Sequence, residues 1–333
     1  MKRLVIMALL LFIITTAVGQ SMKNNLFYGF WPGNIPYVGT SLLNFSSGAP
    51  TNLPITTPMG FTMANGFMND STGNILFYSN GVFLFNSQNT NIAGCDSICL
   101  EDNYYLDTLS IKDGLPISQL FFVIPKPGNN SHFYYMFQLS YNISINSQGP
   151  WLNFHLIDMD GDNGHGENVS CNHQVIYDTL TDGFLTGVKH ANGRDWWIIC
   201  NKAYTNLYYK VLVTPDTMIV SSQKIGPVMD SIEYTGQSNF SNDGKWYARA
   251  DANGGIVIMQ FDRCTGQFFN VLHDTISKMG CGGVGFSPNN KRLYVSTWLD
   301  LYQYNLEDTI NMLANKIKVA HTDSMILPVA HNI

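Results

Sequence analysis

Charged residues are scarce in this chain. Asp, Glu, Lys and Arg make up 13% of its 333 residues, against roughly 25% in an average globular protein. No run of basic residues occurs, and the formal net charge is −6 at pH 7. Since proteins that bind nucleic acid present a basic patch or stripe to the phosphates, the composition argues against a nucleic-acid partner.

Long helical periodicity is also nearly missing. Only Glu307–Val319 places apolar residues at the spacing of an amphipathic helix. Elsewhere, short apolar or alternating runs stand between clusters of Gly, Asn, Asp and Pro, and aromatic residues reach 13%. This composition is typical of strands joined by turns, so the sequence predicts an all-β fold.

Long hydrophobic runs are confined to the N-terminus. Lys2 and Arg3 precede an apolar run over Leu4–Ile14, and the small residues of Ala17–Gly19 follow. This pattern predicts a signal peptide over residues 1–19 and an exported domain over residues 20–333, which is secreted, on the outer surface or in the periplasm. No later segment has the ~18 consecutive apolar residues that a transmembrane helix needs.

A strand-turn-strand unit recurs along the chain. In each unit a turn rich in Gly or Asn leads into an aromatic strand, and the spacing of the units is near the ~40–50 residues of a propeller blade. A four-stranded blade cannot bury both of its faces alone, so we expect blades stacked around an axis. The five units are 71–86, 127–142, 192–213, 242–262 and 289–306.

The sequence therefore predicts a β-propeller of antiparallel four-stranded blades, about five to seven in number. The last two units share the pattern F-S-x-D/N-G/N-K, at Phe240–Lys245 and Phe286–Lys291. We interpret this pattern as a β-turn that joins an inner strand to the next strand of its blade. The end of the chain, MILPVAHNI, carries no strand pattern, which favours a truncated C-terminal blade and an incomplete ring.

Six segments, taken in order, carry a family resemblance: GNILFYSNG (73–81), VIPKPGN (123–129), HANGRDWW (190–197), FDRCTGQF (261–268), GVGFSPNNKRLYVS (283–296) and LYQYNL (301–306). They resemble a family of exported β-propeller-like proteins of gliding-type bacteria that use type IX secretion. The resemblance covers roughly Phe61 to Val319. It implies a WD40-like or YVTN-like propeller that is secreted or lies on the cell surface, with no established reaction and no catalytic residues to transfer. The family's further blade and sorting tail, beyond the position of Asn332, are not in this sequence.

The stretch IDMDGDNGHGE (157–167) combines alternating aspartates with glycines. An EF-hand loop needs oxygen ligands at positions 1, 3 and 5 and a glutamate at position 12. Asp158, Asp160 and Asp162 fit the first three positions, but position 12 is Val169. Two interpretations stay open: a structural turn between two strands, which we prefer, and a calcium site formed by these aspartates with Glu167. No other cofactor is expected.

Six cysteines follow the predicted signal peptide. Export permits disulfides, and the short polar loop GCDSIC predicts a bond between Cys95 and Cys99. The other cysteines are interpreted as small buried hydrophobic residues. No second C-x2-4-C or H-x3-5-H pair accompanies the first, so the spacing argues against a zinc site.

No catalytic pattern emerges from the other polar residues. The motif G-x-S-x-G does not occur, and no spacing pairs two carboxylates for glycoside cleavage. His190 precedes a turn and is interpreted as a residue that organises it before Asp195. Trp196–Trp197, Trp246–Tyr247 and Trp298 fit either a carbohydrate-binding face or, more simply, blade packing.

We interpret the chain as a secreted or cell-surface, non-enzymatic interaction or adhesion module whose blade loops bind a protein or a glycan. One alternative is a propeller enzyme that acts on polysaccharide and holds a structural calcium. Another is a fragment of a larger surface protein. A central pocket with converging carboxylates and aromatic side chains would favour the enzyme.

Overall fold

The computed structural model describes residues 25–29, 40–45, 49–61, 64–95, 98, 114–115, 117–128, 132–140, 149–181, 183–228, 236–251, 255–276, 281–297 and 299–321. The predicted signal peptide and the end of the chain from residue 322 lie outside these ranges. Within these ranges, no helix has the length and the apolar character that a membrane crossing requires.

The described residues form 22 strands in six antiparallel sheets, and within each sheet every strand pairs with the next along the chain. An N-terminal sheet contains β1 (Asn25–Gly29), β2 (Thr40–Asn44) and β3 (Thr51–Ile55). Blade 1 contains β4 (Gly66–Asn69), β5 (Ile75–Ser79) and β6 (Leu84–Asn86). Blade 2 contains β7 (Phe121–Pro125), β8 (Phe133–Leu139), β9 (Gly149–Asp158) and β10 (Glu167–Leu180), with the helical turn α1 (Gly161–Gly164) between the last two.

Three further blades have four strands each. Blade 3 contains β11 (Thr186–Lys189), β12 (Trp196–Asn201), β13 (Leu207–Val213) and β14 (Met218–Lys224). Blade 4 contains β15 (Gly236–Phe240), β16 (Trp246–Asp251), β17 (Gly255–Asp262) and β18 (Gln267–Asp274). Blade 5 contains β19 (Cys281–Phe286), β20 (Arg292–Thr297), β21 (Asp300–Asn305) and β22 (Ile317–His321).

The blades are arranged around a common axis. The first strands of successive blades meet one another: β4 contacts β7, β7 contacts β11, β11 contacts β15 and β15 contacts β19. The N-terminal sheet packs beside blade 1, where Leu42 and Ile55 lie against the cluster of Phe61 and Tyr78. The prediction of a propeller with four-stranded antiparallel blades is therefore confirmed, with five blades, of which blade 1 has three strands among the described residues.

Aromatic side chains fill the space between blades 3 and 4. Tyr247 on β16 is fully buried, and its ring meets Tyr208 of blade 3 at 6.0 Å between centroids. Phe240 and Phe268 of blade 4 each lie 5.2 Å from Tyr247. Ring pairs of this kind contribute about 0.5–1.5 kcal/mol each beyond the area they bury. Because these rings come from both sheets, neither blade could hide its face without the other.

The shared turn pattern of blades 4 and 5 has the same hydrogen bonds in both. Ser241 Oγ accepts from the backbone N–H five residues later at 3.0 Å, and Ser287 Oγ does so at 2.9 Å. Gly244 has φ of 69°, and Asn290 occupies the same place with φ of 57°. Asparagine tolerates this left-handed region better than most residues, which explains the G/N position of the pattern.

The helical spacing over Glu307–Val319 does not produce a helix. After β21 a series of turns leads to β22, which pairs antiparallel with β21. Asp308 fixes these turns, since its carboxylate accepts from Asn311 N at 3.0 Å and from Asn315 Nδ2 at 2.9 Å. Side-chain bonds of this local kind, together with strand pairing, outweigh the apolar spacing.

Two glycines with positive φ provide a matched test of inter-blade packing. Gly266 has φ of 69°, and a Cβ there would lie 2.6 Å from the Trp197 ring, whereas Gly193 has φ of 73° and nothing within 4 Å. Alanine at either position costs about 1 kcal/mol because of the left-handed backbone. We expect Gly266→Ala to lower the free energy of unfolding by a further ~1–3 kcal/mol, because Trp197 must move. Urea denaturation measures this difference, and equal losses would contradict the packing.

Candidate functional site

An open cleft of about 360 Å³ lies between blades 2 and 3. One wall comes from the blade 2 strands β8, β9 and β10, and the other from the turn between β13 and β14 and the start of β14. We call it the inter-blade cleft. Its lining residues are Tyr135, Phe154, His173, Gln174, Val175, Asp216, Thr217, Met218 and Val220.

Tyr135, Phe154 and His173 form a continuous aromatic surface on the blade 2 wall. They lie on neighbouring strands, and His173 is directly opposite Phe154 in the strand register. The ring centroids of Phe154 and His173 are 4.8 Å apart, and Tyr135 meets Phe154 edge-on at 5.2 Å. Tyr135 is buried, Phe154 is partly buried and His173 is exposed. The aromatic surface therefore opens to solvent on the side of β10.

The opposite wall is a closed turn over 214–217. Thr214 donates to the Thr217 carbonyl at 2.9 Å through both its backbone N–H and its hydroxyl, and Thr217 N donates to Thr214 Oγ1 at 3.0 Å. Pro215 occupies the second turn position, where its fixed φ is favourable. This turn holds the exposed Asp216 on one side of the cleft, and Gln174 lies on the other. A bound molecule would thus meet a carboxylate and an amide beside aromatic rings.

At the junction of blades 3 and 4, a tryptophan side chain fills the space between the two blades. Trp197, which is 6% exposed, lies on the second strand of blade 3 and packs against the turn between β17 and β18 of blade 4. Its Nε1 donates to the Arg263 carbonyl at 2.8 Å, and its ring lies against Gly266. A ligand has no room where this indole packs, so this junction serves stability.

A second cleft, of about 340 Å³, lies between blades 4 and 5. Its aromatic residue, Trp246, is buried, and Asn270 Nδ2 donates to Gln260 Oε1 at 2.6 Å. This cleft has no carboxylate among its described lining residues, and its amides satisfy each other. The lining residues are Trp246, Gln260, Asn270, Val271, Leu272 and Thr309.

A polar cluster fastens blade 2 to blade 3. Asp178 on β10 accepts from Lys202 Nζ at 2.7 and 2.8 Å and from the Tyr209 hydroxyl at 2.5 Å. Burial raises the pKa of Asp178, but the hydrogen bonds from Lys202 and Tyr209 outweigh it, and the net pKa is lowered. Burial and the bond to Asp178 raise the pKa of Tyr209 to about 12. The cluster holds the two walls of the cleft together.

The aspartate-rich stretch forms the connection between β9 and β10. Asp158 Oδ1 accepts from Asp160 N at 3.0 Å, and Asp162 adopts a left-handed conformation with φ of 45°. The stretch is thus a turn between two strands, as the preferred interpretation has it. The carboxylates of Asp158, Asp160, Asp162 and Glu167 do not form a group of three or more ligand atoms within 4.8 Å of one another. Calcium binding by these residues stays a prediction.

The predicted bond between Cys95 and Cys99 is wrong, because Cys95 is joined to Cys171, with the two Cα atoms 5.9 Å apart. Cys99 lies outside the described residues. The physical reason is a tertiary contact: Asn168 N donates to the Ala93 carbonyl at 2.8 Å, which lays the segment before Cys95 along the start of β10. The spacing of 76 residues between the joined cysteines gives no local signal of this contact.

His190 organises its turn, as predicted. His190 Nδ1 accepts from the backbone N–H two residues later at 3.1 Å, and Nε2 lies 3.0 Å from the Cys264 carbonyl of blade 4. Trp197, Trp246 and Tyr247 are buried, which confirms that they serve blade packing, whereas Trp196 is partly buried and meets Phe122 of blade 2 at 6.4 Å between ring centroids. Trp298 lies outside the described residues.

The sequence analysis did not identify the inter-blade cleft. Its residues come from four separated strands and a turn, and Tyr135 and Phe154 look like ordinary aromatic residues of strands. The one local signal is the Thr-Pro-Asp-Thr turn at 214–217, because such a turn presents an aspartate at the surface.

No protein-family model matches this chain, and no curated protein sequence matches it. Similar solved structures share the β-propeller fold of this chain. A "putative 6-phosphogluconolactonase" from Bacteroides uniformis is 14% identical, with a TM-score of 0.50 over 93% of this chain and 85% of that one. A related structure from Bacteroides fragilis is 14% identical, with a TM-score of 0.46 over 92% and 84% of the two chains. The periplasmic gluconolactonase of Pseudomonas aeruginosa is 9% identical, with a TM-score of 0.47 over 80% and 72%.

The Asp178 cluster makes stability depend on pH. Because the pKa of Asp178 is lower in the folded chain than its ordinary value of 3.8, its contribution is complete above that value and is lost as the pH falls through the folded pKa. We expect Asp178→Asn to destabilise the fold by about 1–2 kcal/mol at pH 7. Below about pH 4 the variant should lose less further stability than the unmodified chain. Urea denaturation at pH 7 and pH 3 checks this.

Asp216→Asn is the matched control for this measurement, because Asp216 is exposed and lies in the turn on the other side of the cleft. Its pH profile should follow that of the unmodified chain. If Asp178→Asn also follows that profile, the cluster does not carry the acid sensitivity.

Proposed function

We propose that this chain is an exported, non-enzymatic interaction module that binds a glycan in the inter-blade cleft. The observation that carries the proposal is the aromatic surface of Tyr135, Phe154 and His173 facing the exposed Asp216. The predicted signal peptide supports export, while type IX secretion and surface attachment stay predictions.

The chemistry of the cleft suits a sugar ring. The face of a pyranose carries C–H groups and packs against an aromatic ring, while its hydroxyls need hydrogen-bond partners around the edge. Phe154 and His173, whose rings are tilted by 38° to each other, supply aromatic faces, and Asp216 and Gln174 supply an acceptor and an amide. The volume of about 360 Å³ lies within the roughly 300–1,000 Å³ of typical small-molecule sites.

The charge of the cleft narrows the class of glycan. Its described lining residues contain one carboxylate, Asp216, and no lysine or arginine. Sulfated, phosphorylated or uronic-acid-rich glycans would bring further negative charge beside Asp216 without a cation to pair it. We therefore propose neutral or amino-substituted glycans as ligands.

His173 and Tyr177 provide a matched pair for a binding test. Both are exposed aromatic residues of β10, but only His173 lines the cleft. The free energy of stacking on one aromatic ring is about 1 kcal/mol, so we expect His173→Ala to weaken binding about fivefold. Tyr177→Ala should leave it unchanged. A glycan array of neutral, amino and acidic glycans identifies ligands, and isothermal titration calorimetry measures the affinities.

Two outcomes would contradict this function. One is a folded chain that binds no glycan on the array, and the other is binding that His173→Ala and Tyr177→Ala weaken equally. Asn270→Ala, in the cleft between blades 4 and 5, is a further control that should leave glycan affinity unchanged.

A hydrolase is the second candidate function, because the Bacteroides uniformis structure with the same fold is named as a 6-phosphogluconolactonase. The inter-blade cleft does not favour glycoside cleavage, since that reaction needs two facing carboxylates and the described lining holds one. Assays of 6-phosphogluconolactone and of polysaccharides distinguish the candidates. Turnover that is lost in Asp216→Asn would establish the enzyme in place of the binding module.

A further inference from the structure

Two cysteines and a histidine meet on blade 2, and none of the three lines the inter-blade cleft. The two Sγ atoms of Cys95 and Cys171 and one ring nitrogen of His155 lie within 4.8 Å of one another. Among the described residues this is the one group of three or more His, Cys, Asp and Glu side chains that comes so close. The three residues come from the segment after β6, from β9 and from β10.

His155 is fully buried, and its two ring nitrogens are in different situations. The carboxamide of Asn168 is satisfied when its nitrogen donates to the carbonyls of Ser170 at 2.9 Å and Leu156 at 3.2 Å, and its oxygen then accepts from His155 Nδ1 at 3.3 Å. His155 Nε2 has no hydrogen-bond partner. Asn172 N also lies 3.4 Å from His155 Nδ1, so both asparagines meet Nδ1 and neither reaches Nε2.

An unsatisfied buried nitrogen is costly. Leaving a polar atom without a partner inside a protein costs about 1–3 kcal/mol, and such atoms are rare enough to need an explanation. A disulfide between Cys95 and Cys171 offers no strong hydrogen bond to this nitrogen, so a purely structural cross-link does not explain His155. A cation bound by two thiolates and Nε2 would explain it.

The backbone holds the three ligands in place. Asn168 N donates to the Ala93 carbonyl at 2.8 Å, and Gly94 packs so closely that a Cβ would lie 2.4 Å from the Asn168 carbonyl oxygen. The same asparagine therefore fixes the segment that carries Cys95 and orients the ring of His155. An outer partner of this kind, which holds the ring of a ligating histidine, is typical of metal sites.

We propose that Cys95, Cys171 and His155 form a redox-gated binding site for a d10 cation, Zn²⁺ or Cu⁺, in the dithiol form of the chain. Thiolate and imidazole together favour such cations over calcium or magnesium. The disulfide is the closed state, because its sulfurs are bonded to each other.

The gating reaction is a thiol–disulfide exchange. A thiol reductant attacks one sulfur and forms a mixed disulfide, and a second thiol releases the reductant as its own disulfide. Two electrons and two protons thereby convert the Cys95–Cys171 bond into two thiols. A cation then displaces both thiol protons and accepts lone pairs from the two sulfurs and from His155 Nε2.

Metal binding to the whole exported chain tests the proposal. The protein is reduced with a phosphine under argon and titrated with Zn²⁺ against a chromogenic chelator, and in a separate arm with Cu⁺ against a Cu⁺-specific chelator. We expect one equivalent bound after reduction and none in the oxidised protein. Co²⁺ in place of Zn²⁺ should show a sulfur-to-metal charge-transfer band in the near ultraviolet, which reports the thiolates directly.

Variants assign the ligands. Cys95→Ser and His155→Gln should weaken binding at least tenfold, whereas Cys264→Ser, which removes an exposed free thiol, should bind like the unmodified chain. Circular dichroism confirms folding, and Cys171→Ser replaces His155→Gln if that variant does not fold. Binding in only one arm identifies the cation. The proposal is overturned if the reduced, folded chain binds no cation in either arm. It is also overturned if Cys95→Ser binds the cation as tightly as the unmodified chain does.

Discussion

The structure depends on the packing of each blade face against the next blade. Tyr247 shows why: its ring is fully buried, yet it is covered by Tyr208 of the preceding blade as well as by residues of its own sheet. With few charges and many aromatic residues, a single four-stranded sheet of this composition would expose both of its apolar faces. Stacking the sheets around an axis removes that surface from water.

The same constraint explains where the chain can bind a ligand. At two junctions, an aromatic residue on the second strand of one blade lies near the turn between the third and fourth strands of the following blade. Trp197 is this residue between blades 3 and 4, and its indole nitrogen is bonded to the next blade. Between blades 2 and 3, Tyr135 and Phe154 line a cleft that stays open. A cleft thus opens at the junction where smaller aromatic residues stand in place of a tryptophan, while the propeller fold is the same.

Features that are fixed by hydrogen bonds between neighbouring residues could be predicted from the sequence, whereas features fixed by tertiary contacts could not. The turns at Ser241 and Ser287 are closed by hydrogen bonds within five residues, so the strand units and the propeller could be predicted. The pairing of Cys95 with Cys171 depends on a contact between the segment after β6 and the start of β10, which no spacing in the sequence reveals. The segment over Glu307–Val319 had helical spacing, but strand pairing with β21 prevailed.

The candidate sites also differ in whether the sequence could predict them. The aspartate-rich stretch could be interpreted as a turn because Asp158 bonds its own neighbouring backbone. The inter-blade cleft and the Cys95–His155–Cys171 group could not be predicted, since each assembles residues from strands far apart in the chain. His155 in particular looks like any other strand residue until its buried ring, with Nε2 unpartnered, is seen beside two sulfurs.

Hydrogen–deuterium exchange of a Tyr247→Leu variant tests the dependence of one blade on the next most directly. If inter-blade packing supports both sheets, amides of β12 and β13 in blade 3 should lose protection together with those of β16 and β17 in blade 4. Loss of protection confined to blade 4, with blade 3 unchanged, would contradict the account.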